Sequence, residues 1–270
     1  MRFFKICKGF CESTPITIAT ITAREITRQA IFFFILIGGC LLIFLSLSFT
    51  LFAFGEELRM IKEMGISTIM ICCLCLASLC ATNAISKERE KGTFITLLCK
   101  PIDKRSILFG KFLGILGVIS FVFFIMGGVL ILSLSMKGFI EYHNGFFSSL
   151  VDIGCHTLLD LLFAFLQVAI ICSIAISGSV FFTMVSNLSF CVFVFVVGNF
   201  ASFFENALLW YASFFFVFFP NLGYFNTLSA GNTFENIGLS YILLSIVYAI
   251  LYITLVLTLA LDFFDKRECN

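Results

Sequence analysis

The chain has 270 residues, of which 60% are hydrophobic and 12% charged, with a net charge of +1. A single water-soluble core of this size has no room for so many apolar side chains, so the remainder must face lipid. These values exclude an ordinary soluble domain and predict an all-α integral membrane protein. The net charge itself says little about partners.

The segment before the first apolar run has the pattern of an amphipathic helix. Thr14 is placed to cap a helix that begins at Pro15, because proline is favoured at the first helical position. Ala19, Ala23, Ile26 and Ala30 then recur on one face, and Thr17, Thr20, Arg24 and Arg28 lie on another. We expect this helix to lie along the membrane surface; the alternative is a simple extension of the first span.

Six apolar runs approach or exceed the ~20 helical residues that cross a bilayer. They cover residues 31–54, 66–85, 107–136, 161–184, 188–204 and 239–261. A further run, 206–219, is apolar but short and stops at Pro220, so residues 206–226 are expected to form an interfacial or re-entrant segment on the outer side. The prediction is therefore one domain over residues 1–270 with six spans.

Charge distribution predicts the orientation. With six spans, both termini lie on one side, and that side carries fourteen of the seventeen Lys and Arg residues; Arg59, Lys62 and Lys137 lie opposite. The positive-inside rule then places both termini and the loop 86–111 in the cytoplasm. The predicted location is the cell (inner) membrane.

The cysteines do not indicate a metal centre or a disulfide framework. Cys72, Cys73 and Cys75 lie in an apolar run, where a thiol behaves as a small hydrophobic group. No matching Cys or His pair follows at zinc-ligand spacing, so no metal and no cofactor are predicted for this chain.

The loop between the second and third spans, residues 86–105, is the most specific segment. Gly92 can end the helix of the second span, Pro101 ends a short apolar piece, and Asp103 can cap the helix of the third span. A short helix between two breaks is therefore predicted, and its apolar residues flanked by charges suit docking into a groove of another protein.

The loop and the start of the next span contain ERE-x-x-T, LL-x-x-P, a basic residue and GK-x-x-G in this order, formed by Glu88, Arg89, Glu90, Thr93, Leu97, Leu98, Pro101, Arg105, Gly110, Lys111 and Gly114. This pattern resembles that of the type-2 ABC transporter permeases. Three other stretches agree: TAREITR around Arg24, Glu25 and Arg28, PNLGYFN from Pro220 to Asn226, and the closing Phe264, Lys266 and Arg267. The resemblance covers nearly the whole chain.

This resemblance implies a permease whose N-terminal cytoplasmic interfacial helix and short coupling helix rest on a separate ATPase subunit. The expected ATPase-coupling residues are Glu88, Glu90, Thr93, Leu97, Leu98, Pro101 and Arg105, and Arg24, Glu25 and Arg28 would belong to the interfacial helix. Arg105 and Lys111 could equally be orientation charges at the membrane edge. Pro220, Asn221 and Phe225 would lie in an outer gate, and two permeases with two ATPases would form an exporter.

No GxxxxGK[ST] phosphate loop occurs, so this chain is not expected to hydrolyse ATP, and HExxH and GxSxG are also absent. ATP would bind the partner subunit. Gly110 and Gly114 form a small-xxx-small pair that indicates close helix packing. Gln167 and Asn187 are explained by hydrogen bonds between helices.

Asp152, His156 and Asp160 form a possible polar cluster, because residues spaced four apart share one face of a helix. The cluster is either a polar helix end that faces outward or a metal or proton site. Two rival functions remain at this stage: a membrane scaffold or assembly factor, and an intramembrane enzyme built on these three residues.

Overall fold

The computed structural model describes residues 2–48, 57–90, 104–142, 146–207, 220–226 and 239–268, and within these ranges every regular element is helical. The helices are α1 (Arg2–Thr27), α2 (Ala30–Ser46), α3 (Glu57–Glu90), α4 (Lys104–Tyr142), α5 (Phe146–Ser179), α6 (Met184–Ala207) and α7 (Leu239–Glu268). A 3₁₀ turn, Leu222–Phe225, lies between α6 and α7.

The helices from α2 onward form an up-and-down bundle in which consecutive helices run antiparallel. Along the α3–α4 pair, Gly65 lies against Leu130, and Lys111 donates a hydrogen bond to Ala84. The two helices therefore run in opposite directions. We call the end where α1 meets α2, α3 ends and α4 begins the elbow end, and the opposite end the far end. α3 packs against α2, α4, α5 and α6 and is therefore the central helix of the bundle.

Side-chain burial separates central from peripheral helices. The buried share of the most apolar stretch of each helix is 61% in α3 and 72% in α5, but only 28% in α6 and 22% in α7. The peripheral helices expose large apolar side chains such as Phe193, Leu244 and Leu251. Such surface suits lipid or another apolar protein surface, whereas the core consists of interdigitated Ile, Leu, Phe and Cys side chains from α3, α4 and α5.

Five described helices, α3 to α7, are each long and apolar enough to cross a membrane, and the bent pair α1 and α2 together passes the same test as a sixth. The predicted all-helical membrane fold is confirmed, with five to six candidate spans. The helix bounds differ from the apolar runs at two places: α3 already begins at Glu57, and the turn after α5 begins at Val180. Charged and polar residues extend α3 beyond its apolar run, whereas the turn between α5 and α6 lies within the apolar run 161–184, where composition alone does not mark it.

The amphipathic N-terminal segment is helical, but its predicted start was wrong. α1 begins at Arg2 and continues through Pro15, so Thr14 is not its first cap. It then breaks after Thr27, and its axis turns by 70° into α2. Gln29, in an extended conformation, occupies the N-cap position of α2. Ala30, predicted on the apolar face of the first helix, is exposed beyond the break.

Candidate functional site

The helices that flank the predicted coupling loop lie side by side at the elbow end. Glu88 and Glu90 occupy the last turn of α3, and Arg105 lies in the first turn of α4. Thr93, Leu97, Leu98 and Pro101 lie outside the described residues, so their role stays a prediction. The described helix ends nevertheless bring both borders of the loop to the elbow end of the bundle.

Two glycines allow α1 to pack directly on the start of α4. A Cβ on Gly110 would lie 2.9 Å from the Pro15 carbonyl oxygen, and one on Gly114 would lie 2.7 Å from the Ala19 carbonyl oxygen. Only hydrogen in place of a methyl group permits this backbone approach. The prediction that the small-xxx-small pair serves helix packing is confirmed, and its partner is the N-terminal helix.

The opposite face of α1 is exposed. Thr20, Ile21, Arg24 and Glu25 of α1, together with Arg28 in the break directly after it, line an open depression on this side. The predicted division of the helix into a packed face and a polar face is thus present, since Thr22 and Ile26 are buried against the bundle. The exposed face leaves both arginines available to a membrane surface or to another protein.

Lys111 has a contact that the sequence did not predict. Its side chain is buried, and Nζ donates a 2.8 Å hydrogen bond to the Ala84 carbonyl oxygen of α3. One residue earlier on α3, Asn83 Nδ2 donates a 3.2 Å bond to Gln29 Oε1 at the α1–α2 break. The end of α3 is therefore bonded both to α4 and to the break in the N-terminal helices.

Asn187, near the start of α6, is completely buried. Its Nδ2 donates to Thr82 Oγ1 at 3.0 Å and to the Ala175 carbonyl oxygen at 3.1 Å, and contacts the Ser78 carbonyl oxygen at 3.4 Å. The side chain thus joins α3, α5 and α6. The prediction of an interhelical hydrogen bond is confirmed.

Gln167 is the second confirmed example. Its Nε2 donates a 3.1 Å hydrogen bond to Asn199 Oδ1, which joins α5 to α6 nearer the far end.

The described cysteines are all free thiols, and several of them are buried in the core. Among the residues that the structure describes, no group of three or more His, Cys, Asp or Glu side chains is arranged to hold a metal ion.

Ion pairs join the helices at the far end. Lys62 of α3 pairs with Asp160 of α5, and Lys137 of α4 pairs with Glu57 of α3 at 2.5 Å. Asp152, His156 and Asp160 all belong to α5, but the side chains of Asp152 and His156 lie outside the described set. Asp160 therefore has a basic partner on a neighbouring helix, which its spacing from His156 did not reveal.

The PNLGYFN stretch forms a tight turn packed on α6 and α7. Asn221 caps the 3₁₀ turn through Oδ1, which accepts a 3.1 Å bond from the Gly223 amide, while its own amide donates to Tyr248 Oη at 3.1 Å. Leu222 and Phe225 are buried. Pro220 rests against Gly198, where a Cβ would lie 2.8 Å from the proline carbonyl oxygen. The three residues predicted for an outer gate thus share one ordered turn at the far end.

The comparison with known families agrees with this arrangement. Residues 55–268 match the family model described as ABC-2 family transporter protein. The chain belongs to this family. The match spans α3 to α7, including both borders of the predicted coupling loop, and leaves α1 and α2 before it. No curated protein matches the chain.

This membership confirms the resemblance to the type-2 ABC permeases. As a member of this family, the chain is a multi-pass membrane component of a transporter and is not itself the catalytic part. Its structure has no feature, within the described residues, that contradicts this assignment. The interhelical polar contacts at the elbow end are the features that the family pattern did not predict.

Proposed function

We propose that the chain is the permease subunit of an ATP-driven exporter, coupled to a separate ATPase through residues 86–105. Two permeases, identical or homologous, would enclose the substrate pathway. Both termini and the loop would face the cytoplasm, as the distribution of basic residues favours. The chain would hold no cofactor, and ATP would bind the partner.

One observation carries this proposal: the loop with the family pattern is bordered by two helices that are bonded to each other and to the N-terminal helices. A hydrogen bond of Lys111 joins α4 to α3, and one of Asn83 joins α3 to the α1–α2 break. Gly110 and Gly114 allow α1 to pack closely on α4. A force applied to the loop would therefore act on a connected set of helices. Without these attachments, movement of the loop would act directly on α3 and α4 alone.

The exposed face of α1 supports a second contact with the same partner. Arg24 and Arg28 are one turn apart on a side that packs against no described helix, next to the elbow end. Guanidinium groups bind carboxylates well, so an acidic surface of the ATPase would fit this face. The direction of transport rests on the family resemblance alone.

Affinity purification from native membranes in mild detergent tests the proposal. The tagged chain is expected to bring down an ATP-binding subunit, and a Glu88→Ala, Glu90→Ala double variant is expected to lose it, because the double variant removes two carboxylates beside the loop. An Arg59→Ala, Glu63→Ala variant is the matched control, since it removes two exposed charged side chains towards the far end of the same helix and leaves the ion pair between Glu57 and Lys137 in place.

A chain that purifies alone in all three forms, with its fold intact, would contradict the coupling role and favour a scaffold. Loss of the ATPase in both double variants would show a general effect of charge on α3. Activity of the isolated chain on a lipid or peptide would favour an intramembrane enzyme.

A further inference from the structure

The segment 78–84 of α3 bonds directly to the α1–α2 break, to α4 and to α6. Asn83 binds Gln29 at the α1–α2 break, and the Ala84 carbonyl oxygen accepts from Lys111 of α4. Thr82 Oγ1 accepts from Asn187 of α6, which also binds α5 at Ala175. Within two turns of one helix, direct hydrogen bonds thus reach the α1–α2 break, α4 and α6, and Asn187 extends the set to α5.

The burial of several polar side chains in one part of an apolar bundle needs an explanation. Asn187, Ser78 and Thr82 are at most 2% exposed, and Lys111 is 5% exposed, in a bundle whose other contacts are largely apolar. Interhelical hydrogen bonds in membranes contribute only ~0.6 kcal/mol on average. Leucine and alanine would therefore hold these helices together almost as well, and the polar set adds direction more than stability.

Residues 78–84 lie where movement of the coupling loop would enter the bundle. Glu88 and Glu90 follow this segment on the same continuous helix, so a displacement of the loop reaches residues 78–84 along a rigid rod. Hydrogen bonds fix relative position more narrowly than apolar contacts, because they weaken steeply with distance and angle. Helices bonded at the segment would follow it, whereas helices held by apolar contact alone can slide.

We propose that residues 78–84 of α3 are the junction that distributes movement of the coupling loop through the bundle, with Asn83 and Thr82 as positioning residues on two separate branches. The Asn83 branch is the hydrogen bond that carries the movement to Gln29 at the α1–α2 break, which we call the elbow. The Thr82 branch is the hydrogen bond with Asn187 that carries the movement to the turn between α5 and α6. This inference rests on the proposed function, since it requires a partner that moves the loop.

The two branches end in backbone hydrogen bonds that can be followed separately. At the elbow, the Gln29 amide donates to the Ile26 carbonyl oxygen at 3.0 Å, and Phe32 donates to Gln29 at 3.1 Å. At the α5–α6 turn, the Phe181 amide donates to the Gly178 carbonyl oxygen at 2.9 Å. Amide exchange at these positions reports whether each branch has moved.

The test measures hydrogen–deuterium exchange in the purified complex, without nucleotide and after trapping with ATP, Mg²⁺ and orthovanadate. In the unaltered complex, trapping is expected to change exchange at both the elbow and the α5–α6 turn. Asn83→Leu keeps the branched shape of the side chain but removes the donor to Gln29, so it should abolish the response of the elbow and leave that of the turn.

Thr82→Val is the complementary variant. It removes the hydroxyl that accepts from Asn187 and leaves only the longer contact of Asn187 with the Ser78 carbonyl oxygen to join α6 to α3. Asn187 also keeps the Ala175 carbonyl oxygen as an acceptor, so the fold should persist. The response of the turn should be reduced while that of the elbow remains. Thr82→Ser, which keeps the hydroxyl, should restore it. A merely structural role would weaken both responses together in each variant.

Asn199→Leu is the matched control, because it removes one amide hydrogen bond between helices, to Gln167, away from the junction. It should leave both responses unchanged. An elbow that responds normally in Asn83→Leu, or that never responds in the unaltered complex, would overturn the junction. A chain with no co-purifying ATPase would overturn the proposed function itself, so the two failures are distinguishable.

Discussion

Replacing Gly114 by Ala is the sharpest test of how α1 is attached to the bundle. The new Cβ would lie 2.7 Å from the Ala19 carbonyl oxygen, and ordinary van der Waals contact begins at 3.4 Å, so α1 would have to move by about 0.7 Å. The Ala19 Cα and Thr22 Cβ, both at 3.1 Å, obstruct the same position. Since the nearest atoms belong to backbone, no side-chain rotation relieves the clash.

The opposing effect is the helix propensity of alanine, which favours Ala over Gly by ~1 kcal/mol in a helix interior. Overpacking costs ~1–3 kcal/mol, so Gly114→Ala should lower the free energy of unfolding by up to roughly 2 kcal/mol. Gly117 provides a control three residues along the same helix, because its Cβ would meet nothing within 4 Å. Gly117→Ala should therefore be neutral or stabilising.

Reversible unfolding in mixed micelles with increasing SDS measures both variants, and amide exchange over residues 15–27 shows whether α1 has loosened. Gly114→Ala is expected to unfold at lower SDS than the unaltered chain and to exchange faster in α1. If the two alanine variants were equally stable and α1 kept its protection, the close packing of α1 on α4 would be refuted.

Three further variants test the far end. Asp160→Asn leaves the half-buried Lys62 without its carboxylate and should lower the free energy of unfolding by roughly 1–3 kcal/mol, below the 3–5 kcal/mol typical of a fully buried pair; SDS unfolding measures it. Tyr248→Phe removes the acceptor of the Asn221 amide and should cost ~0.5–1.5 kcal/mol in the same assay. Gly198→Ala should displace the 3₁₀ turn, because its Cβ would lie 2.8 Å from the Pro220 carbonyl oxygen; faster amide exchange in the turn is the expected signal.

The Asp160 and Gly198 variants each have a control. Adding Lys62→Met to Asp160→Asn should recover most of the stability, because no charge is then left unpaired; failure to recover would mean that Asp160 contributes otherwise. Unchanged transport by Asp160→Asn would remove the metal or proton role. Gly128→Ala, whose Cβ meets nothing within 4 Å, should leave exchange in the turn unaltered.

The sequence by itself determined the membrane class, the helical fold and the family. These follow from apolar runs long enough to span a bilayer and from the order of Glu88, Thr93, Pro101 and Gly110, which are local properties of the chain. The packing role of Gly114 was also predictable, because small residues four apart permit close approach of another helix. Its partner was not, since nothing in the spacing identifies α1.

Only the tertiary structure decided which polar residues meet. Gln29 and Asn83 are 54 positions apart, and Asn187 lies more than one hundred positions from Thr82. Isolated polar residues within apolar runs signalled that partners exist, because an unpaired amide in a membrane is costly. The partner depends on how helices rotate and align in the bundle, and that alignment is set jointly by all of their apolar faces.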